Sequence, residues 1–346
     1  MPDKPAPDWF RPTLSALLDR RDLSAAQAAA LMEGLLRGEV GPVETAGLLV
    51  ALRAKGETAA ELAAAAGVLR AHGAVLDVGR DDLLDTCGTG GDGAGTFNVS
   101  TATAIVAAAA GAAVVKHGNR AVSSTSGSAD VLAELGVRVS ASPAVARRCL
   151  ERAGVAFCLA PLYHPALAHV GEVRRRLGVH TLFNCLGPLA NPARAAFQLL
   201  GVGRPEWLDR MAHALAGLGT RYALLVHGDD GLDEVSLAGP TRVRQVAGGE
   251  VKALAWAPAD FGLAECGPDE LRVGSPAESA AVIRGIFAGA GGGPTRVVLA
   301  NAAAALLACG KARTLRDGAA RAGAAVADGR ARDTLAALAE ASATVA

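Results

Sequence analysis

Aromatic side chains are scarce: Phe, Trp and Tyr together make up 3% of the 346 residues. Binders of single-stranded nucleic acid stack successive bases on exposed rings, so that class is excluded. Charge of either sign is also missing in excess, because 34 basic and 34 acidic residues give a formal net charge of +0. The field that gathers polyanions, or holds a polybasic face on a membrane, is therefore absent. Lysine is confined to Lys4, Lys55, Lys116, Lys252 and Lys311, a skew toward Arg that, with the abundant Ala, reports GC-rich coding rather than chemistry. No two of Cys87, Cys149, Cys158, Cys185, Cys266 and Cys309 form a C-x-x-C pair, which argues against a zinc site or a disulfide framework and for reduced, mostly buried thiols. The stretch from Met1 to Arg20 has no apolar h-region, so a cytoplasmic protein is expected. The longest apolar run, Thr101 to Val115, is shorter than the ~18 residues a membrane span requires and reads as a buried helix followed by a strand. What is plentiful is small and apolar: 42 Gly and 51% hydrophobic residues predict a close-packed aliphatic core in one or two domains.

The first seventy residues are helical in pattern. Ser24 and Gln27 form a capping box ahead of a helix that Gly38 ends, Pro42 opens a second, and Thr58 with Glu61 caps a third that closes at Gly73. From Asp82 the rhythm becomes βαβ: a strand at Leu83 to Thr86, a glycine loop, a helix from about Val99 and a strand at Ala113 to Val115. Further strands are predicted at Val155 to Leu159, Gln198 to Val202, Tyr222 to Val226, Arg242 to Val246 and Val251 to Trp256, with helices at Ala144 to Ala153, Pro165 to Leu177, Glu206 to Leu218 and Glu278 to Phe287. Gly289 to Gly293 reads as a surface turn. This order predicts a doubly wound α/β domain with a mostly parallel sheet, whose ligand lies beyond the carboxyl ends of the strands.

The densest signal is Gly88-Thr89-Gly90-Gly91-Asp92-Gly93-Ala94-Gly95-Thr96, between a strand and a helix. Such a loop lets backbone amides approach an anion at a helix N-terminus, and phosphate is the natural ligand. It satisfies G-x-G-x-x-G, yet Lys116 stands where a dinucleotide fold needs an acid, and no Gly-Lys-Ser/Thr makes it a P-loop. Asn98-Val99-Ser100-Thr101 can cap the next helix, and a Ser hydroxyl there can also ligate magnesium. Lys116-His117-Gly118-Asn119-Arg120 sets a point charge and a planar fork on one bend, a second anion site, with Ser123, Ser124 and Ser128 following and Ser128 placed to cap a helix near Ala129. Asp233-Glu234 is either a solvated turn or a pair of carboxylates for a magnesium ion that keeps its waters. Of Arg174, Arg175 and Arg176, successive directions about 100° apart let one or two face a cleft, where Arg grips a carboxylate bidentately. His164 reads as a helix-start or packing residue, and no nucleophile paired with a base can be specified.

Together these segments, with Gly127-Ser128-Ala129-Asp130, Phe183 to Leu189 and Asn191-Pro192, resemble the anthranilate phosphoribosyltransferase family over nearly the whole chain. The resemblance implies a small all-helical domain, 1–75 with a returning segment at about 161–187, hinged on an α/β donor-binding domain of 76–160 and 188–346. It implies transfer of phosphoribosyl from phosphoribosyl pyrophosphate to anthranilate in tryptophan biosynthesis, by a cytoplasmic homodimer with two Mg²⁺ ions per site and neither nucleic acid nor membrane as partner. The donor is then held by Gly88, Gly91, Asp92, Thr96, Asn98, Val99, Ser100, Thr101, Lys116, His117, Gly118, Asn119, Arg120, Ala121, Val122, Ser123 and Ser124, with Ser128 nearby. Magnesium is held by Ser100, Asp233 and Glu234, and anthranilate by Gly88, Asn119, His164 and Arg174, with His117 helping to orient it. No obligatory acid or base is implied. Two departures stand out, His180 where the family commonly has Arg and Leu159 where an aromatic is frequent. Relatives by fold include pyrimidine nucleoside phosphorylases and nucleic-acid-binding proteins; the intact Asp233-Glu234 pair and the zero net charge disfavour the latter.

Overall fold

The structure, a computed structural model, describes residues 6–121 and 126–343. Val122, Ser123 and Ser124 lie outside the described residues. Four helices come first: α1 (Phe10–Leu18), α2 (Ala25–Leu36), α3 (Pro42–Lys55) and α4 (Ala59–His72). Both expected capping boxes form, Ser24 with Gln27 on α2 and Thr58 with Glu61 on α4. Only α1, which has no side-chain cap, lacked a start signal in the sequence. Glu61 does more than cap. Its carboxylate accepts from the Leu23 amide at 2.8 Å, the Thr58 amide at 2.8 Å and Lys55 Nζ at 3.0 Å. Each oxygen of this buried charge therefore meets donors, the condition under which burial is tolerated.

The remaining chain alternates strands and helices: β1 (Leu83–Gly88), α5 (Val99–Ala109), β2 (Ala113–Gly118), α6 (Ser128–Glu134), α7 (Pro143–Ala153), β3 (Val155–Leu159), α8 (Ala160–Tyr163), α9 (Ala168–Leu177), α10 (Leu182–Leu189), β4 (Phe197–Gly201), α11 (Pro205–Gly217), β5 (Tyr222–Gly228), β6 (Thr241–Ala247) and β7 (Glu250–Trp256). Then follow α12 (Pro258–Phe261), α13 (Pro276–Phe287), α14 (Gly293–Ala308), α15 (Leu315–Ala327) and α16 (Arg330–Ala343). The helix expected over Pro165 to Leu177 is split, since Pro165–Leu167 is a 3₁₀ turn ahead of α9. The expected surface turn ends one residue early. Gly293 is the first residue of α14 and is buried, where a Cβ would stand 2.4 Å from Cys266 Sγ.

One seven-stranded sheet has the order β3-β2-β1-β4-β5-β6-β7. Pairings from β3 through β5 are parallel, as expected for buried strands under crossover helices. The last two pairings are antiparallel, and Gly248 and Gly249 make the β6–β7 turn with φ of 58° and 84°, the pair of positive values that a tight hairpin needs. One face of the sheet packs under α5 and α14, whose Ala-rich surfaces permit close approach. Trp207 and Met211 of α11 share the other core with α2, α3, α4 and α10, so the N-terminal helices and the sheet bury apolar area continuously. Full burial of a side chain such as Leu35 or Leu49 contributes roughly 1.5–3 kcal/mol. All six cysteines are free thiols, five of them buried, as their spacing predicts. Among the described residues no helix is long and apolar enough to cross a membrane.

Candidate active site

The sheet reverses its winding at β1, which has β2 on one side and β4 on the other. A crevice opens at such a switch point beyond the carboxyl ends of the strands. The glycine loop fills it. Gly90, Gly91, Gly93 and Gly95 take φ of 64°, 83°, 70° and 66°, so the chain can turn its amides outward in a path closed to most side chains. A neighbouring segment pins the loop, the Thr89 amide donating to Gly201 O at 2.9 Å and the Gly203 amide to Thr89 Oγ1 at 2.9 Å, while within it the Ala94 amide donates to Asp92 Oδ1 at 3.2 Å. Thr96 bridges to Arg272, and α5 starts at Val99.

Asn98 occupies the N-cap position, yet its side chain does not cap α5. Its Oδ1 accepts the Thr101 hydroxyl and its Nδ2 donates to Ser126 O at 3.3 Å. The helix's first amides consequently have no side-chain cap, which suits an anion. Val99 and Thr101 are buried in the helix, so only their backbone can serve the crevice.

Asp233 and Glu234 lie between β5 and β6 and are half-buried, not freely solvated. Asp233 Oδ2 accepts the Gly90 amide at 3.0 Å, tying the acidic turn to the loop. The turn rests on bare backbone: a Cβ on Gly88 would stand 2.8 Å from Asp233 Oδ2, and one on Gly201 only 1.6 Å from Asp233 O. Burial, reinforced by Asp92, pushes the Asp233 carboxyl up to about 7. Burial and the charge of Asp233 push Glu234 well above the carboxylate range, against the pull of Lys116 and of the Ser100 amide. Lys116 is buried, and its Nζ donates to Thr86 O and, at 3.0 Å, to Ser100 Oγ. Burial lowers its pKa, opposed by Asp85, Cys87, Glu234 and Asp233. Asp92, Ser100, Lys116, Asp233 and Glu234 thus surround one electrostatic centre. Among the described residues no three His, Cys, Asp or Glu side chains converge to hold a metal by themselves.

Beside this centre lies a cavity of about 240 Å³, lined by Gly88 to Gly91, His117 to Arg120, His164, Arg174, His180, Phe183, Asn184 and Gly187 among others. Arg174 faces it with its guanidinium 5.0 Å from the Phe183 ring centroid, while Arg175 and Arg176 are exposed, the division that helical spacing predicts. His117 and His164 meet edge to face at 5.3 Å. His117 Nδ1 donates to Gly187 O at 3.0 Å, leaving Nε2 as a buried acceptor with no partner. Burial, and then His164, pushes His117 down to about 3, below its unfolded value of 6.5. The unfolded chain therefore takes up a proton as pH falls through 6.5 while the folded one does not, and stability is lost from 6.5 toward 3. In urea titrations between about pH 5 and 7 the slope of stability against pH should be shallower for His117→Asn than for the parent; equal slopes would contradict the neutral assignment.

Two expectations on this bend change. Arg120 Nη1 is paired with Asp130 at 3.0 Å, and Asp130 also takes the Ala121 amide at 2.9 Å, so Arg120 lines the cavity as one half of an ion pair that also shapes the bend. Ser128 is the first residue of α6 and does not cap it, because Asn119 O takes its hydroxyl at 3.3 Å. Asn119 is exposed at the cavity edge, its Oδ1 accepting the Arg120 amide at 2.8 Å. Other participants escaped the sequence reading. Gly201 and Gly203 press on the acidic turn and the loop, and their strand-G-x-G-helix context was the available signal. His180 covers Gly91, with Cε1 2.5 Å from where a Cβ would stand, whereas Leu159 is buried at the end of β3.

Comparison with known proteins agrees with this architecture. Residues 80–332 match the model of the glycosyl transferase family α/β domain, and residues 11–73 that of its helical bundle domain. The chain is 49% identical over 325 residues to the anthranilate phosphoribosyltransferase of Anaeromyxobacter sp. (strain Fw109-5), covering 94% of this chain and 96% of that one. The crystal structure of the enzyme of that name from Thermus thermophilus superposes with a TM-score of 0.90 at 43% identity, over 96% of this chain and 99% of the other. The Saccharomyces cerevisiae enzyme in complex with PRPP and Mg has a TM-score of 0.88 at 27% identity, over 97% and 99% of the two chains. The chain belongs to the anthranilate phosphoribosyltransferase family.

Proposed function

We propose that the protein transfers the 5-phosphoribosyl group of phosphoribosyl pyrophosphate to the amine of anthranilate, giving N-(5-phosphoribosyl)anthranilate and diphosphate, the second step from chorismate to tryptophan. The observation that carries this reading is the abutment of two unlike spaces at Gly88. On one side are backbone amides, Lys116 and two carboxylates; on the other is a cavity of about 240 Å³ bearing Arg174. An anionic donor and a planar aromatic acid are the pair that these spaces fit.

In the reaction the amine nitrogen bonds to the anomeric carbon as that carbon's bond to the diphosphate oxygen breaks. The electron pair leaves with diphosphate, and the nitrogen, cationic once bonded, passes its proton to solvent or to the departing diphosphate. Charge builds on the leaving group, so the protein's work is electrostatic and positional. The amides of Gly91 and Asp92, the start of α5 at Asn98 to Thr101 and the Lys116 bend hold the diphosphate and ribose phosphate. Arg174 clamps the anthranilate carboxylate, Asn119 turns the amine toward the donor, and the His117 ring, in the cavity wall, helps to orient it. An aryl amine is already a neutral nucleophile, which accounts for the lack of a dedicated base.

The residues present fit Mg²⁺. Two adjacent carboxylates that burial pushes toward protonation are relieved by a divalent cation, and Mg²⁺ keeps its waters while taking one or two carboxylates and substrate phosphates. Asp233, Glu234 and Ser100 would hold it, two ions to a site, and when bound it supplies positive charge to the diphosphate. We extend the reading to a cytoplasmic homodimer joined through the helical domain, a reading supported by exposed Leu18 on α1 and Val43 and Val50 on α3. The helical part, 1–75 with about 161–187, would hinge on 76–160 with 188–346.

Anthranilate fluorescence should fall when the protein, donor and Mg²⁺ are mixed and stay constant if any one is omitted; a steady signal in the full mixture would end this reading. Arg174→Ala should raise the anthranilate KM about thirtyfold while barely moving that of the donor. An equal change in both would remove Arg174 from the carboxylate.

A further inference from the structure

Beneath the Lys116 bend, β1 and β2 stop pairing although both strands continue. Their register runs through Leu83 with Ala113 and Leu84 with Val114 and then ends, yet β1 stays paired to β4 as far as Gly88 and β2 to β3 as far as Gly118. Side chains take the place of the ladder there. Asp85 Oδ1 accepts the His117 amide at 3.2 Å, Asn191 Nδ2 donates to Val115 O at 2.8 Å, and Lys116 Nζ reaches Thr86 O and, at 3.0 Å, Ser100 Oγ. All three side chains are buried, and Asp85 Oδ2 has no hydrogen-bond partner.

A continued parallel ladder would satisfy the same backbone groups at no electrostatic cost. A carboxylate buried with one oxygen unspent is expensive unless an opposite charge offsets it. Among the acids acting on Lys116, Asp85 contributes most. We propose that Asp85 is a positioning residue for phosphoribosyl transfer: with Asn191 it takes the place of the β1–β2 ladder in holding the backbone of the Lys116 bend, and so sets where the Lys116 ammonium, at Thr86 O and the Ser100 hydroxyl, meets the donor's diphosphate. This rests on the reading that Lys116 grips that diphosphate. Without the Asp85 carboxylate the amide next to Lys116 loses its charged acceptor and the ammonium loses an opposite charge.

The test is a double-mutant cycle on the full-length protein with donor and anthranilate titrated separately at saturating Mg²⁺. Asp85→Asn keeps the shape and an acceptor for the His117 amide but removes the charge. It should raise the donor KM about tenfold, leave the anthranilate KM within about twofold, and add nothing further in a Lys116→Ala background. An unchanged donor KM, an equal rise for both substrates, or full additivity with Lys116→Ala would overturn the proposal. Lys116→Ala leaving the donor KM unaltered would strike instead at the reading of Lys116 itself. If Asp85→Asn does not fold, Asn191→Ala removes the other side chain that replaces the ladder. It must then show the same donor-selective rise, erased by Lys116→Ala, and a rise shared by both substrates would count against the proposal.

Discussion

Asp233→Asn and Glu234→Gln are each expected to lower kcat/KM for the phosphoribosyl donor about a thousandfold and to leave the anthranilate KM within about twofold. The asymmetry follows from geometry. Both carboxylates lie at the end of the crevice held by the Gly90 amide, Lys116 and Ser100, while neither lines the cavity assigned to anthranilate. The Mg²⁺ concentration for half-maximal rate should rise in both variants. Stability should move the other way. Asp233 is pushed up to about 7 from 3.8, so the folded form holds a proton that the unfolded form has released across that window. Stability contributed by this group is therefore lost as pH rises through it, and above it the folded chain carries a partly desolvated charge that the Gly90 amide only partly offsets. The Asn variant, which still offers Gly90 an acceptor, should melt at or above the parent's temperature at about pH 8 without Mg²⁺. A lower melting temperature with proportionate loss of both substrates would make Asp233 a structural residue.

What the sequence disclosed, and what it withheld, divides along a physical line. Ser24, Gln27, Thr58 and Glu61 announce helix starts because a cap is a contact between residues three apart, and both boxes form. The strands of the parallel sheet read as short apolar runs because burial on both faces demands them, and they formed close to the expected ends, β1 and β2 running on into the glycine loop and the lysine bend. The motif residues around Gly88, Lys116 and Asp233 could be named, and they converge because the topology brings the ends of β1, β2 and β5 to the same edge of the sheet. Contacts between distant segments left little trace. Ser128 looks like a cap until Asn119 O claims its hydroxyl, and Arg120 looks like a free cation until Asp130 pairs with it. Asp85 reads as an ordinary polar residue in a strand, since nothing local tells that the neighbouring strand fails to pair there. His180 is the same case, because only the folded chain lays its ring over Gly91.

Gly201 was the least legible of these and supports the second large effect: Gly201→Ala should remove most of the donor-dependent activity from a protein that still folds. A methyl group there would stand 1.6 Å from Asp233 O and 2.7 Å from Asp233 C, both backbone atoms that no rotamer change can withdraw. The acidic turn must therefore retreat by more than about 1 Å to restore van der Waals separation. That retreat carries Asp233 away from the Gly90 amide and moves both carboxylates relative to Lys116, and displacement on this scale costs about a hundredfold or more in rate. The overpacking itself costs roughly 1–3 kcal/mol, which a large apolar core absorbs without unfolding. β4 keeps its backbone pairing to β1 and β5, so far-ultraviolet circular dichroism should match the parent's and the melting temperature should fall by only a few degrees. Anthranilate binding, measured by quenching of its fluorescence without donor, should be nearly unchanged because Gly201 does not line that cavity. A Gly201→Ala protein with the parent's kcat/KM for donor would mean that the acidic turn need not touch β4 at all, and the electrostatic centre around Lys116 would have to be redrawn.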